Sequence, residues 1–245
     1  MSLFLDVEDQ AAIFSVVHLI QLGVHMGIPI GQHFNASVLA RALRQQCHRR
    51  PDIPCEIFFV KNGEIARNLL LEKVRHKAQV VLMTLRLGAD CLNPQYTALI
   101  KAALSSPYSL GLIGGRAPRA FYIVGFQDDS LLYLDPHLLR GTCLDMNRIV
   151  TEREYHTRAV CELSLSHLDP TVLFGFLCQS KADVEGLVGS LLSSPVPMPL
   201  FNVVELRPQR DQSSKKDHAK SIWDFDNGGL EDAPRIGGGE NKDMF

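Results

Sequence analysis

The chain has 245 residues, 46% of them hydrophobic, so it can bury the core of one large domain or of one domain with a tail. It carries 25 basic and 27 acidic residues, a formal net charge of −2, which provides no general basic field for binding nucleic acid. No uncharged apolar run approaches the roughly 18 residues of a membrane span, and the first residues lack a secretory signal pattern. We therefore expect a soluble cytoplasmic protein that does not bind nucleic acid.

The first half of the chain predicts alternating helices and strands. Apolar residues at helical spacing predict a helix over residues 11–22 that ends at Gly23. After a loop, Asn35 or Ser37 caps a helix that runs to about Gln46. The next predicted elements are a strand (55–60), a helix (63–75), a strand (79–87) and a helix that begins at Asn93 and Pro94.

The second half predicts mainly strands. A strand over residues 108–113 closes in a flexible turn at Gly114 and Gly115, and residues 120–126 and 131–134 form a hairpin. Two strands (160–165 and 172–177), a helix (181–192) and a last strand (201–206) follow. From Arg207 the composition becomes polar, so we predict one domain over residues 1–206 and a disordered tail over 207–245.

A carboxylate and an imidazole lie two residues apart in Asp135-Pro136-His137. Proline restricts its own φ and disfavours helical geometry in the residue before it, so we predict an extended tripeptide. In extended chain the side chains of Asp135 and His137 project to the same side, where the carboxylate can orient the histidine. The alternative interpretation is that Asp-Pro simply begins a turn after a strand.

No cysteine has the setting of an activated nucleophile, namely a helix N-terminus beside a histidine. The six cysteines also lack CxxC spacing, so they predict reduced thiols rather than a zinc site or a disulfide framework. Cys91, just before a predicted helix, is the least poor candidate. We expect no metal and no cofactor. The six are Cys47, Cys55, Cys91, Cys143, Cys161 and Cys178.

Three blocks of sequence together resemble the autophagins, the papain-like cysteine proteases of autophagy. The blocks are SLGLIGGR (109–116), AFYIVGF (120–126) and LYLDPH (132–137), and shorter blocks agree in order before residue 207. The resemblance implies an α+β, papain-like peptidase fold. It also implies that Asp135 and His137 are the acid and base of a Cys-His-Asp site.

The resemblance further implies how a substrate is held. Gly114, Gly115, Arg116 and Ala117 correspond to the loop that covers the family's site and is displaced by the substrate's C-terminal tail. His33 stands where the family has a tryptophan that clamps the substrate's glycine end. The implied partners are a ubiquitin-like autophagy modifier and its phosphatidylethanolamine conjugate, with peripheral contact to autophagic membranes through that substrate.

The segment that carries the nucleophilic cysteine in the family precedes the block matching Phe14 and Ser15, so the peptidase fold is expected to be incomplete at its N-terminus. Since this segment packs between the two halves of a papain-like fold, we expect apolar faces of the 11–22 helix or of the sheet to lie open. Two hypotheses follow. One is an endopeptidase that cuts the modifier after glycine and removes phosphatidylethanolamine; the other is an inactive relative that binds the modifier or a partner.

Overall fold

The computed structural model describes residues 2–4, 11–32, 34–116, 118–138, 157, 159–194 and 200–205. The predicted boundary at residue 206 and the predicted tail lie outside the described residues. The described residues contain α1 (Val16–His25), α2 (Ala36–Arg49), α3 (Arg67–Lys73), α4 (Thr97–Ser105) and α5 (Lys181–Leu192). Their strands are β1 (Cys55–Lys61), β2 (Glu64–Ala66), β3 (Ala78–Arg86), β4 (Ser109–Arg116), β5 (Arg119–Gln127), β6 (Ser130–Leu134), β7 (Cys161–Ser164), β8 (Thr171–Cys178) and β9 (Asn202–Val204).

Seven strands form one mixed sheet in the order β1-β3-β8-β4-β5-β6-β7. β1 and β3 run parallel with α3 between them in the chain, and the other neighbours are antiparallel. β2 and β9 form a separate parallel pair. The predicted α+β class is therefore confirmed, and the sheet order carries the β5–β6 hairpin to one side of the molecule.

One face of the sheet packs against α3, α4 and α5 to form the main core. Leu70, Ile100 and Val184, one from each of these helices, are fully buried. β8 is apolar along nearly its whole length, which is typical of a strand covered on both faces. Burial of these side chains is the main term that stabilises the fold.

The predicted end of the first helix at Gly23 is wrong, because α1 continues to His25. A Cβ atom at Gly23 would lie 2.1 Å from Cζ of Phe34, so the glycine allows the Phe34 ring to pack against the helix. The helix also begins later than predicted. Ser15 is its N-cap, and its hydroxyl accepts a hydrogen bond from the backbone N–H of His18.

The predicted helix over residues 63–75 is wrong in its first four residues. Asn62 and Gly63 have φ values of 52° and 74° and form the tight turn between β1 and β2, so the helix begins only at Arg67. Two successive residues with left-handed φ are typical of a type I′ turn, for which Asn-Gly is the preferred pair. The apolar spacing of residues 65–75 concealed this turn.

Gly63→Ala should lower the free energy of unfolding by about 2 kcal/mol or more, because alanine is strained at positive φ and its Cβ would meet the Leu200 carbonyl oxygen. Urea denaturation followed by circular dichroism measures the change. The control is Gly189→Ala in α5, where nothing lies within 4 Å of the added methyl group. It should raise stability by up to about 1 kcal/mol, because alanine is the better helix former. Equal effects of the two substitutions would contradict this explanation.

The helix predicted over residues 181–192 is confirmed at both ends. Ser180 and Asp183 form a capping box, and the carboxylate of Asp183 accepts backbone N–H groups of Gln179 and Ser180. These hydrogen bonds lower the pKa of Asp183 below its ordinary value, and the hydrogen bond from the Gln179 N–H has the largest effect.

Asp183→Asn should therefore destabilise the protein at neutral pH, and the difference from the wild type should shrink as the solution is acidified. A group whose pKa is lower in the folded state contributes stability above its unfolded pKa, about 4, and loses it as pH falls through the folded value. Thermal unfolding of both proteins across acidic and neutral pH measures the difference. Asp90→Asn, at an exposed site outside the capping box, controls for the change in net charge. A difference that stays constant with pH would rule out the carboxylate as the cause.

An apolar part of α1 lies open to solvent, as expected from the sequence. Its exposed residues are Val16, Val17, Ile20 and Val24. Beside it is a groove of about 320 Å³ whose walls, from α1, residues 28–32, Phe34 and Leu39, include no charged residue. Leu110, Ile113, Tyr122 and Val124 are also exposed, on β4 and β5.

Within the described residues, no helix has the length and apolar character needed to span a membrane.

Candidate active site

Asp135 and His137 form a hydrogen-bonded pair just beyond the end of β6. Nδ1 of His137 lies 2.7 Å from Oδ1 of Asp135, and the backbone N–H of His137 donates to the same oxygen at 2.8 Å. The carboxylate is largely covered, with 13% of the Asp135 side chain exposed, whereas the His137 side chain is 45% exposed. The carboxylate is thus held against the protein while the imidazole remains accessible to a substrate.

The predicted extended conformation of this tripeptide is wrong. Pro136 and His137 lie in a turn, and the Asp135 carboxylate accepts the N–H two residues ahead, the contact that defines an Asx-turn. The two side chains therefore meet because the chain bends, and not because alternate residues of a strand share a face. The structure therefore agrees with the turn interpretation, and the side chains of Asp135 and His137 are in contact, as predicted.

The charge state of the pair follows from its contacts. The hydrogen bond from the His137 backbone, then the His137 ring and the charge of Arg119, lower the pKa of Asp135, while burial opposes them. An ionised carboxylate only accepts hydrogen bonds, so Nδ1 of His137 must carry a proton. In the neutral ring Nε2 is then unprotonated, which is the tautomer that a general base requires.

Two aromatic rings adjoin the pair. Phe121 of β5 stacks on Tyr133 of β6 with ring centroids 4.2 Å apart, and it contacts the His137 ring edge-on with centroids 6.0 Å apart. Burial raises the pKa of Tyr133, so its phenol stays protonated at neutral pH. Sequence motifs did not point to either ring as part of the site; the only signal in the sequence is their position in the predicted hairpin that leads to Asp135.

Among the cysteines that the structure describes, none hydrogen-bonds to His137. Burial raises the pKa of both Cys47 and Cys178 to about 11 and also raises that of Cys55, so these three are thiols at neutral pH. Cys161 pairs with Tyr133 across β6 and β7, and Cys91 is exposed before the turn that leads into α4. Cys143 lies outside the described residues.

The predicted turn at Gly114 and Gly115 is wrong. Both residues belong to β4, which continues to Arg116, and they pair with Phe121 and Ala120 of β5. A Cβ on Gly115 would lie 2.2 Å from the carbonyl oxygen of Arg119, so the glycine allows the close approach of β5. Ala117 and His33 lie outside the described residues. The gating role predicted for residues 114–117 and the substrate-binding role predicted for His33 stay predictions.

An α+β fold that places a hydrogen-bonded aspartate–histidine pair at the end of a sheet strand is typical of papain-like cysteine peptidases. The family model of the Peptidase C54 catalytic domain matches residues 1–190, and the chain belongs to this family. This confirms the resemblance to the autophagins, while the roles of Asp135 and His137 stay predictions.

Three relatives illustrate the similarity. "Cysteine protease ATG4C" of Mus musculus is 28% identical over 80% of this chain and 47% of its own length. "Cysteine protease atg4da" of Danio rerio is 30% identical over 82% of this chain and 44% of its own. "Probable cysteine protease ATG4" of Pichia angusta is 30% identical over 85% and 45%. The chain thus spans less than half the length of each relative.

Proposed function

We propose that this chain provides the general base and part of the substrate site of an autophagy cysteine endopeptidase. Its substrate is a ubiquitin-like modifier, which it cuts after a C-terminal glycine and from which it later removes phosphatidylethanolamine. The observation that carries the proposal is the contact between Nδ1 of His137 and the Asp135 carboxylate, on an imidazole that remains accessible. When Nδ1 donates to the carboxylate, Nε2 of the neutral ring is free to accept a proton. Membership of the Peptidase C54 family supports a cysteine as the nucleophile.

In this mechanism Nε2 of His137 accepts the proton of a cysteine thiol, and the thiolate sulfur bonds to the glycine carbonyl carbon. As the C–N bond breaks, the departing amine takes the proton from Nε2. Water, deprotonated by the same nitrogen, then cleaves the thioester and regenerates the thiol. Asp135 holds the ring in the required tautomer and stabilises the imidazolium between these steps. The amide to phosphatidylethanolamine is broken in the same way, so one site serves both reactions.

A second candidate function is supported by the cysteine positions. Because no cysteine in the described part of the chain hydrogen-bonds to His137, the chain on its own has no placed nucleophile there. Under this second function, the chain acts as a binding module for the modifier or for a partner protein. The open apolar residues of α1, and the uncharged groove beside it, provide surface for such an interaction.

A comparison of two proteins tests the proposal: residues 1–245 alone, and the same residues preceded by the cysteine-bearing segment of the mouse relative. We expect the longer protein to cleave a modifier extended beyond its glycine and the shorter one to show no cleavage, because losing one member of a catalytic unit costs several orders of magnitude. Cleavage is measured by electrophoresis and mass spectrometry of the products.

Changing the segment's cysteine to serine gives the control protein, which should also be inactive. Cleavage by residues 1–245 alone would mean that one of their own cysteines is the nucleophile. If neither protein cuts the modifier but the shorter one binds it, the binding module is the correct function.

A further inference from the structure

The rings of Phe121, Tyr133 and His137 form a continuous contact beside the site. Phe121 is 7% exposed and lies between the other two rings. Its ring is nearly parallel to that of Tyr133, at 28°, and nearly perpendicular to that of His137, at 86°. The edge-to-face contact between Phe121 and His137, with centroids 6.0 Å apart, is an arrangement that the quadrupoles of aromatic rings favour. The Phe121 ring therefore packs against one side of the His137 imidazole.

A single hydrogen bond to Asp135 does not by itself fix the orientation of a half-exposed ring. The Nδ1 contact restrains one edge of the imidazole, but rotation about the side-chain torsions still lets the ring swing away from the carboxylate. A rigid ring packed perpendicular to the imidazole opposes that rotation. Phe121 is itself rigid, because it is buried and stacked on Tyr133, whose own strand leads directly to Asp135.

We propose that Phe121 is a positioning residue that holds the His137 ring in hydrogen-bonding contact with Asp135 and so maintains the tautomer with an unprotonated Nε2. This inference rests on the proposed function, since it concerns the same base. A core role alone predicts that any apolar side chain of similar volume replaces Phe121. The positioning role predicts that a planar ring is needed.

The test measures the tautomer of His137 directly and does not require catalysis. Residues 1–245 labelled with ¹⁵N are compared with the Phe121→Leu variant by long-range ¹H–¹⁵N correlation at neutral pH, which distinguishes the protonated from the unprotonated ring nitrogen. In the wild type the Nδ1–H tautomer should dominate. In Phe121→Leu its ratio to the Nε2–H tautomer should fall about fivefold, the change expected when a typical hydrogen bond is lost. Nuclear Overhauser contacts between the Phe121 and His137 rings should be present in the wild type.

Two further variants separate positioning from packing. Phe121→Tyr keeps the ring and should keep the wild-type tautomer ratio. Phe58→Leu removes a ring that is also 7% exposed, from β1, and should lower stability without changing the ratio. An unchanged ratio in Phe121→Leu, or an equal fall in Phe58→Leu, would overturn the inference while leaving the Asp135–His137 pair intact. If the wild type lacks the Nδ1–H tautomer, the pairing itself is wrong and the proposed function loses its base.

Discussion

Changing His137 to alanine in the fusion that carries the cysteine-bearing segment of the mouse relative should reduce peptidase activity by about 10⁴- to 10⁶-fold. The alanine cannot accept the thiol proton, and the ionised Asp135 beside it is held by the backbone N–H of residue 137 rather than aimed at a substrate. Initial rates on a modifier with a C-terminal extension measure the loss. Binding of the modifier should change little, since the deficit lies in a proton-transfer step.

Two controls belong to this experiment. Asp135→Asn should keep the fold and slow the reaction by about 10⁴-fold, because an amide neither fixes the tautomer nor stabilises the imidazolium. His167→Ala, at an exposed histidine after β7, should leave the rate unchanged. Circular dichroism verifies that each variant is folded. Activity within tenfold of the wild type in His137→Ala would remove His137 from the catalytic site.

Phe176→Ala should be the most damaging single substitution in the core, lowering the free energy of unfolding by about 3–5 kcal/mol. Phe176 is 1% exposed in β8, an inner strand that lies between β3 and β4, and it stacks on Phe174 with ring centroids 6.2 Å apart. Its removal leaves a cavity where the sheet meets the helices. The loss is a large part of the roughly 5–15 kcal/mol that stabilises a domain, so we expect partial unfolding at physiological temperature.

Urea denaturation measures the loss, and Phe176→Leu should recover a large part of it by refilling the volume. Leu192→Ala, at a residue that is 54% exposed, should change stability by less than about 0.5 kcal/mol. Similar losses at Phe176 and Leu192 would mean that β8 is not at the centre of the core.

The elements that the sequence predicted well are those with strong local signals. The helix over residues 181–192 has a capping box at one end and apolar spacing throughout. The β5–β6 hairpin has two strong strand patterns around a turn at Asp128 and Asp129. The wrong predictions have two causes. At Gly63 the local pattern fitted both a helix and a turn, and at Gly23 and Gly115 the glycine allows close packing and does not form a turn.

The sequence by itself determined the family, the α+β class and the partnership of Asp135 with His137, because motif order and a separation of two residues are properties of the chain. Only the tertiary structure decided how that pair is made and what surrounds it. Asp135 and His137 meet through a side-chain hydrogen bond that bends the backbone, which the local preference of proline did not reveal. Phe121 reaches His137 through the pairing of β5 with β6, and cross-strand register depends on burial of the whole sheet rather than on any short stretch of sequence.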